Sequence, residues 1–175
     1  MANTHGVLHT THCACENIDA LNFVGVCASD IDNGTFLKRG AIKNTDGQLD
    51  EYVFDVTVDA NGAAAQKYVA VTPRPGTNDN LDMQLYADPR YFYNEAGKPI
   101  SMKRIINGDC IELTQEAFGE GKSPADQATY TTASIGADGK LQMVAQDGDF
   151  ELLTGHTIAI GQAEVPSWIL MYMGQ

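Results

Sequence analysis

The chain is short of several things at once, and each shortage removes a class of function. No stretch approaches the roughly 20 apolar residues needed to cross a bilayer as a helix, and the most apolar window, Trp168 to Met173, is far shorter. Lys and Arg number only 11 against 23 Asp and Glu, a net charge of −12. They do not cluster, so a nucleic-acid partner, whose binding rests on Lys and Arg neutralising phosphates, is not expected, and neither is a membrane. The N-terminus, MANTHGVLHTTHCACENID, has neither the basic start nor the apolar run of a secretory signal, which predicts synthesis in the cytoplasm. There is no Gly-x-Ser-x-Gly elbow, no phosphate-binding glycine loop and no His-Glu-x-x-His, three spacings that carry hydrolytic or nucleotide chemistry.

What is present is turn chemistry and strand text. The 175 residues, 43% hydrophobic, suffice for one well-buried core. The 17 glycines and 7 tyrosines, beside only 6 prolines, suit many short strands joined by tight turns. Residues 1–16 are polar and show no helical or strand period, which predicts an extended N-terminal arm. Residues 17–175 then form a single β-rich domain, with a possible lobe boundary in the Pro-, Gly- and Asn-rich loop 73–81. LNFVGVCA and TFLKRGAI read as strands joined through residues 29–34, and NTDGQ at 44–48 is the next turn.

EYVFDVTV and QKYVAVTP read as a hairpin around Asn61-Gly62, with Tyr52, Phe54, Val56 and Val58 on one face. TQEAFGEG is the one helix expected, starting at a Thr114 cap and stopping at Gly119. Asp138-Gly139 and Asp147-Gly148 mark further hairpin turns, and TGH and VPS read as breaks between the last strands. The final strand, Trp168 to Met173, is apolar on both faces, so it is either central or covered by another subunit. The predicted fold is mainly β, a compact barrel or sandwich of short antiparallel strands with at most one or two short helices.

The polar residues supply few chemical leads. His9, His12, Cys13 and Cys15 fall within seven residues and are all competent soft-metal ligands, but no second Cys or His pair follows to complete a structural zinc site. All four cysteines, these two with Cys27 and Cys110, are expected as reduced thiols in a chain without a signal sequence. Cys27 and Cys110 lie in apolar strand text, where cysteine acts as a small hydrophobe. Asp30 to Gly34 and Asp147 to Glu151 superficially resemble calcium loops, yet neither reaches the required bidentate glutamate, and Asp and Gly serve turns for backbone reasons. The aromatics Tyr86, Tyr91, Phe92 and Tyr93 suit a core or subunit contact, or the wall of a sugar or peptide groove. No catalytic residue, cofactor site or metal site is therefore assigned.

Three segments carry a resemblance. NGTFLKRG at Asn33 to Gly40, the aromatic and acidic stretch ending in EAGK at Asp88 to Lys98, and GDCIELT at Gly108 to Thr114 resemble small head-associated proteins. Those are encoded beside capsid genes in tailed bacteriophages and prophages, and the likeness covers about half of the chain. It implies an auxiliary capsid protein, a decoration or cement protein that binds the major capsid protein on the outside of the virion head, as a homo-oligomer and often a trimer. Met1 to Glu16 and Trp168 to Met173 are the contact regions it singles out, the arm adding a strand to a neighbour's sheet edge. Two other classes stand beside it: a carbohydrate- or receptor-binding module using the Tyr86 to Tyr93 aromatics, and an enzyme using Cys110 or a carboxylate pair.

Overall fold

The structure, a computed structural model, describes residues 4–45, 48–73, 88–160 and 163–174. Eleven strands are found among them: β1 (Leu8–His12), β2 (Asn22–Cys27), β3 (Phe36–Thr45), β4 (Gln48–Val58), β5 (Tyr68–Ala70), β6 (Pro99–Arg104), β7 (Cys110–Thr114), β8 (Thr132–Ile135), β9 (Leu141–Val144), β10 (Phe150–Ile160) and β11 (Ala163–Tyr172). The chain is mainly β, 49% strand and 10% helical, with no long helix. Strands β2–β6 close a five-stranded barrel in the order β2-β4-β3-β5-β6. The other six form a sheet in the order β1-β7-β11-β10-β8-β9. Barrel and sheet are thus both present, and β2 with β4 is a parallel pair within an otherwise antiparallel fold.

Two strands explain why the halves are one body. In a strand, successive side chains point to opposite faces. In β3, Phe36 joins the cluster between barrel and sheet while Leu37 points into the barrel. In β5, Val69 goes to the sheet side and Tyr68 and Ala70 go to the barrel interior. All five side chains are at most 2% exposed. The barrel interior is filled by Cys27, Ile31, Leu37, Val56, Ile100 and Met102, with Phe23 meeting Tyr68 edge to face at 5.3 Å. Across the shared wall Phe36 meets Phe150 of β10 at 5.3 Å, and Phe150 meets Tyr172 of β11 at 5.1 Å. At the barrel mouth the exposed Arg39 guanidinium lies 4.9 Å over the Phe54 ring, 5.4 Å over Phe23 and 5.5 Å over Tyr68.

Long-range pairing overrode several local readings. β4 and β5 are not a hairpin: β4 pairs with β2 and β3, and β5 pairs with β3 and β6. Residues 59–67 therefore carry the chain past β3. They are held by Asp59 Oδ1 accepting from Ala64 N–H (2.9 Å) and Lys67 Nζ donating to the carbonyls of Gly62 and Ala64. The expected one-face set also loses Tyr52, which is 79% exposed at φ 62° while Phe54, Val56 and Val58 pack in the barrel.

Asp147-Gly148 likewise joins strands that do not pair, since β8 lies between β9 and β10. Asp138-Gly139 does turn β8 back onto β9, with Ile135 opposite Leu141. TGH and VPS do not interrupt strands, because β10 and β11 run as one long ladder from Phe150–Tyr172 to Ile160–Ala163. The expected helix at Thr114 is a single 3-10 turn, Gln115–Ala117, whose cap makes no side-chain bond. Thr114 Oγ1 instead accepts from Val7 N–H at 3.1 Å, so tertiary pairing took the capping group. Four other three-residue turns are found among the described residues, Ala14–Glu16, Asp19–Leu21, Ala60–Gly62 and Pro89–Tyr91.

Of the arm expected over residues 1–16, Leu8–His12 is extended and paired within its own chain, while Ala14–Glu16 is a 3-10 turn and residues 1–3 lie outside the described residues. β1 lies antiparallel to β7 with Leu8 opposite Leu113, and Val7, Leu8, Cys13 and Cys15 are buried. One edge of residues 8–12 is thereby occupied within the chain, and β1 ends the sheet. The loop 73–81 lies largely outside the described residues, while the strands either side of it, β5 and β6, pair within the barrel.

Phe150 joins the two halves, so Phe150→Ala should lower unfolding free energy by about 3–5 kcal/mol in urea denaturation. Tyr91→Ala, at a 40% exposed position, should cost no more than about 0.5 kcal/mol.

Candidate functional site

The cysteine and histidine cluster is divided by the strand that carries it. His9 and His12 are exposed on β1, while Cys13 and Cys15 turn into the core. Cys13 Sγ donates to the Cys110 carbonyl at 3.0 Å, and burial pushes its thiol up to about 12 from the ordinary value of 9.0. Burial also raises Cys15 and Cys110. A thiolate is the form that binds metals and attacks carbonyls, so these environments work against both roles. His12 stands opposite Cys110 in the β1–β7 ladder, but its side chain is exposed and Cys110 Sγ faces the Gly108 carbonyl at 3.7 Å. Cys27 is buried in the barrel beside Ser29 Oγ (3.4 Å). All four are free thiols, and no group of three or more His, Cys, Asp or Glu side chains arranged to hold a metal ion occurs among the described residues.

Sequence reasoning missed a polar clasp around Asp32. Its Oδ1 lies 2.7 Å from His5 Nδ1 and its Oδ2 accepts from Lys140 Nζ at 2.6 Å, while the same ammonium donates to the Glu116 carbonyl at 3.0 Å. His5, Asp32 and Lys140 line an open cleft of about 650 Å³ with Ser29, Asp30, Thr35, Tyr93 and Asp138. The clasp ties the N-terminal segment, the β2–β3 connection and the β8–β9 hairpin together through one carboxylate. Its members come from positions 5, 32 and 140, a separation no local motif reveals.

A second trio sits on the sheet. Glu112 Oε1 accepts from Ser167 Oγ at 2.5 Å and lies 3.0 Å from His156 Nε2. The carboxylate stands between serine and histidine, so the histidine is not placed to take the serine proton, and Ser167 is fully buried.

Of the aromatic group, Tyr86 lies outside the described residues. Tyr91 is exposed, and Phe92 and Tyr93 are half-buried along a cleft of about 310 Å³ with Thr72, Pro73 and Pro99. Trp168 to Met173 proves central: β11 lies between β7 and β10, and Trp168 packs edge to face on Phe118 at 5.9 Å.

The outer side of β10 is without a strand partner over most of its length among the described residues. Pairing with β8 reaches only Phe150 and Glu151, with a last bond from Leu152 N–H to the Thr131 carbonyl. From Thr154 onward β11 is the one neighbour of β10 among the described residues. Residues 153–157 are all exposed. Gly155 is required there, because a Cβ would lie 2.7 Å from the Trp168 indole that crosses it. Leu153, 47% exposed, stands at the point where β8 leaves. No helix among the described residues is long and apolar enough to cross a membrane.

No family model, curated protein or solved structure matches this chain.

The buried thiols fix a pH dependence. The unfolded chain releases these protons from about pH 9, whereas the folded chain holds them, so above that pH the unfolded state binds fewer protons and stability falls. Urea midpoints should drop from about pH 9 upward, less steeply in Cys13→Ala, and native Cys13 should resist alkylation until the protein unfolds.

Proposed function

We propose that this chain is an auxiliary structural protein of a tailed-phage or prophage head, a decoration or cement protein that binds the outer surface of the shell and stabilises it. The observation that carries the reading is the edge of β10, unpaired among the described residues, on a strongly acidic body. An edge of this kind is a ready template for main-chain pairing, and a charge of −12 keeps such a protein out of the DNA-filled lumen. The resemblance of residues 33–40, 88–98 and 108–114 to head-associated proteins points the same way. The role is adhesive: many copies, each burying a modest area, gain from simultaneous placement on a lattice. With the N-terminal segment paired inside its own chain, the protein accepts strands from the shell rather than donating one.

A second reading, a glycan- or receptor-binding module, draws on the cleft beside Phe92 and Tyr93. A glycan array separates the two, because a lattice cement shows no saccharide preference.

Purified chain mixed with expanded, undecorated heads should co-sediment to a saturating, lattice-defined stoichiometry and raise the temperature at which heads rupture. Absence of the chain from purified particles by mass spectrometry, together with no binding to heads, would remove the proposal.

A further inference from the structure

β10 has the features of a strand acceptor in detail. Thr157 stands opposite Pro166 of β11, and proline has no N–H to give, so this is a non-hydrogen-bonded pair of the ladder. The N–H and C=O of Thr157 then face the outer edge, and the period of two adds those of Gly155 and Ala159.

The edge is held in shape from behind. The Trp168 indole crosses Gly155, and Ile160 and Val165 pack on Val7 of the N-terminal segment. An acceptor already in its bound geometry loses little entropy on binding.

Its chemistry is unlike that of a protected edge. Natural sheets blunt free edges with Lys, Pro, bulges or inward charges. Leu153 to Ala159 contains no Lys, Arg, Asp, Glu or Pro, in a chain that is 19% charged, and the one register shift of β10 against β11, between Leu152 and Thr154, comes before the free stretch. Acids bracket it: exposed Glu151 at one end, and exposed Glu164, opposite Ala159, at the other. Beside Ala159 and Ile160 a groove of about 430 Å³, walled also by Val7, Leu8, Val71 and Phe92, lies open to an apolar side chain at the end of an added strand.

We propose that residues 154–160 bind, by β-addition, an extended segment of another protein in which alternating β-branched and hydroxyl residues are bracketed by Lys or Arg. A second copy of this chain is the wrong occupant. Two bodies of charge −12 repel, and antiparallel self-pairing would bring Glu151 of one copy toward Glu164 of the other. The segment rests on the adhesive reading only for the protein that carries it, the major capsid protein.

The test uses the full chain, isotope-labelled for NMR, and an acetylated and amidated peptide Lys-Val-Thr-Val-Thr-Val-Lys. Amide shifts should concentrate in residues 154–160. A peptide with Glu in place of both lysines should bind at least about tenfold more weakly, and one N-methylated at alternate residues should not bind. Thr157→Pro should lose binding and Thr157→Val should keep it, each checked for a native spectrum. If Thr157→Pro fails to fold, the N-methylated peptide carries the decision.

Shifts centred away from β10, equal affinity for lysine- and glutamate-ended peptides, or undiminished binding of the N-methylated peptide would overturn the inference. The head co-sedimentation assay separates the two levels. Decoration of heads without peptide binding removes the β10 site alone, and peptide binding without decoration removes the capsid role alone.

Discussion

The structure depends on a wall shared by two cores. β5 and the start of β3, at Phe36 and Leu37, are buried on both faces because the barrel closes on one side of them and the six-stranded sheet packs on the other. Ordinary antiparallel sheets keep one face for solvent, and that surplus of apolar side chains is what such strands normally cannot offer. Here Phe36 with Leu37, and Tyr68 with Val69 and Ala70, supply apolar groups at consecutive positions. Burial of that apolar surface is the dominant favourable term, and it exists only when both halves are present. The chain route has the same consequence: β1 precedes the barrel and β7 follows it, yet the two pair, so the barrel is enclosed between neighbouring strands of the sheet.

Polar groups beneath and beside these cores link distant parts of the chain. Asp32 joins His5 and Lys140. Asn94 donates to the carbonyl of Ile31 and to Asn33, while Asn33 bonds in turn to Thr72. Asp109 accepts from Ala14 N–H and Ile106 N–H. The Asp32 and Asn94 links span separate elements, and the bonds from Asn33, Asn94 and Asp109 to main-chain groups satisfy backbone atoms that would otherwise lie unpaired. The thiols belong to the same logic, because Cys13 and Cys15 fill space under β1 and β7 and their burial favours the neutral form.

The structure places the two ends of the chain within the sheet. The N-terminal arm and the C-terminal strand stood out in the sequence as contact regions, since one is polar and aperiodic and the other apolar on both faces. In the fold they are a paired strand and a central strand. β10, an inner strand in the sheet order, also has an edge stretch without a strand partner among the described residues, and its text FELLTGHTIAI reads as two short strands with a break and so hides an eleven-residue strand. β8 covers only its first residues, and among the described residues that leaves an edge without Lys, Arg, Asp or Glu between two glutamates.

The sequence by itself determined the class: alternating apolar residues, glycine-rich turns and the absence of helical period permit little besides a mainly β fold. It also located the strand text of β2, β3, β4 and β7 and the turn at Asp138-Gly139, because those signals act within a few residues. It could not determine which strands pair. Whether β4 folds back on β5 or passes β3 to lie beside β2 is decided by the apolar area buried when the barrel closes, a sum over residues far apart in the chain. The clasp at Asp32, the inward turn of Cys13 and Cys15, and the bare edge of β10 follow from that closure, so only the tertiary structure placed them.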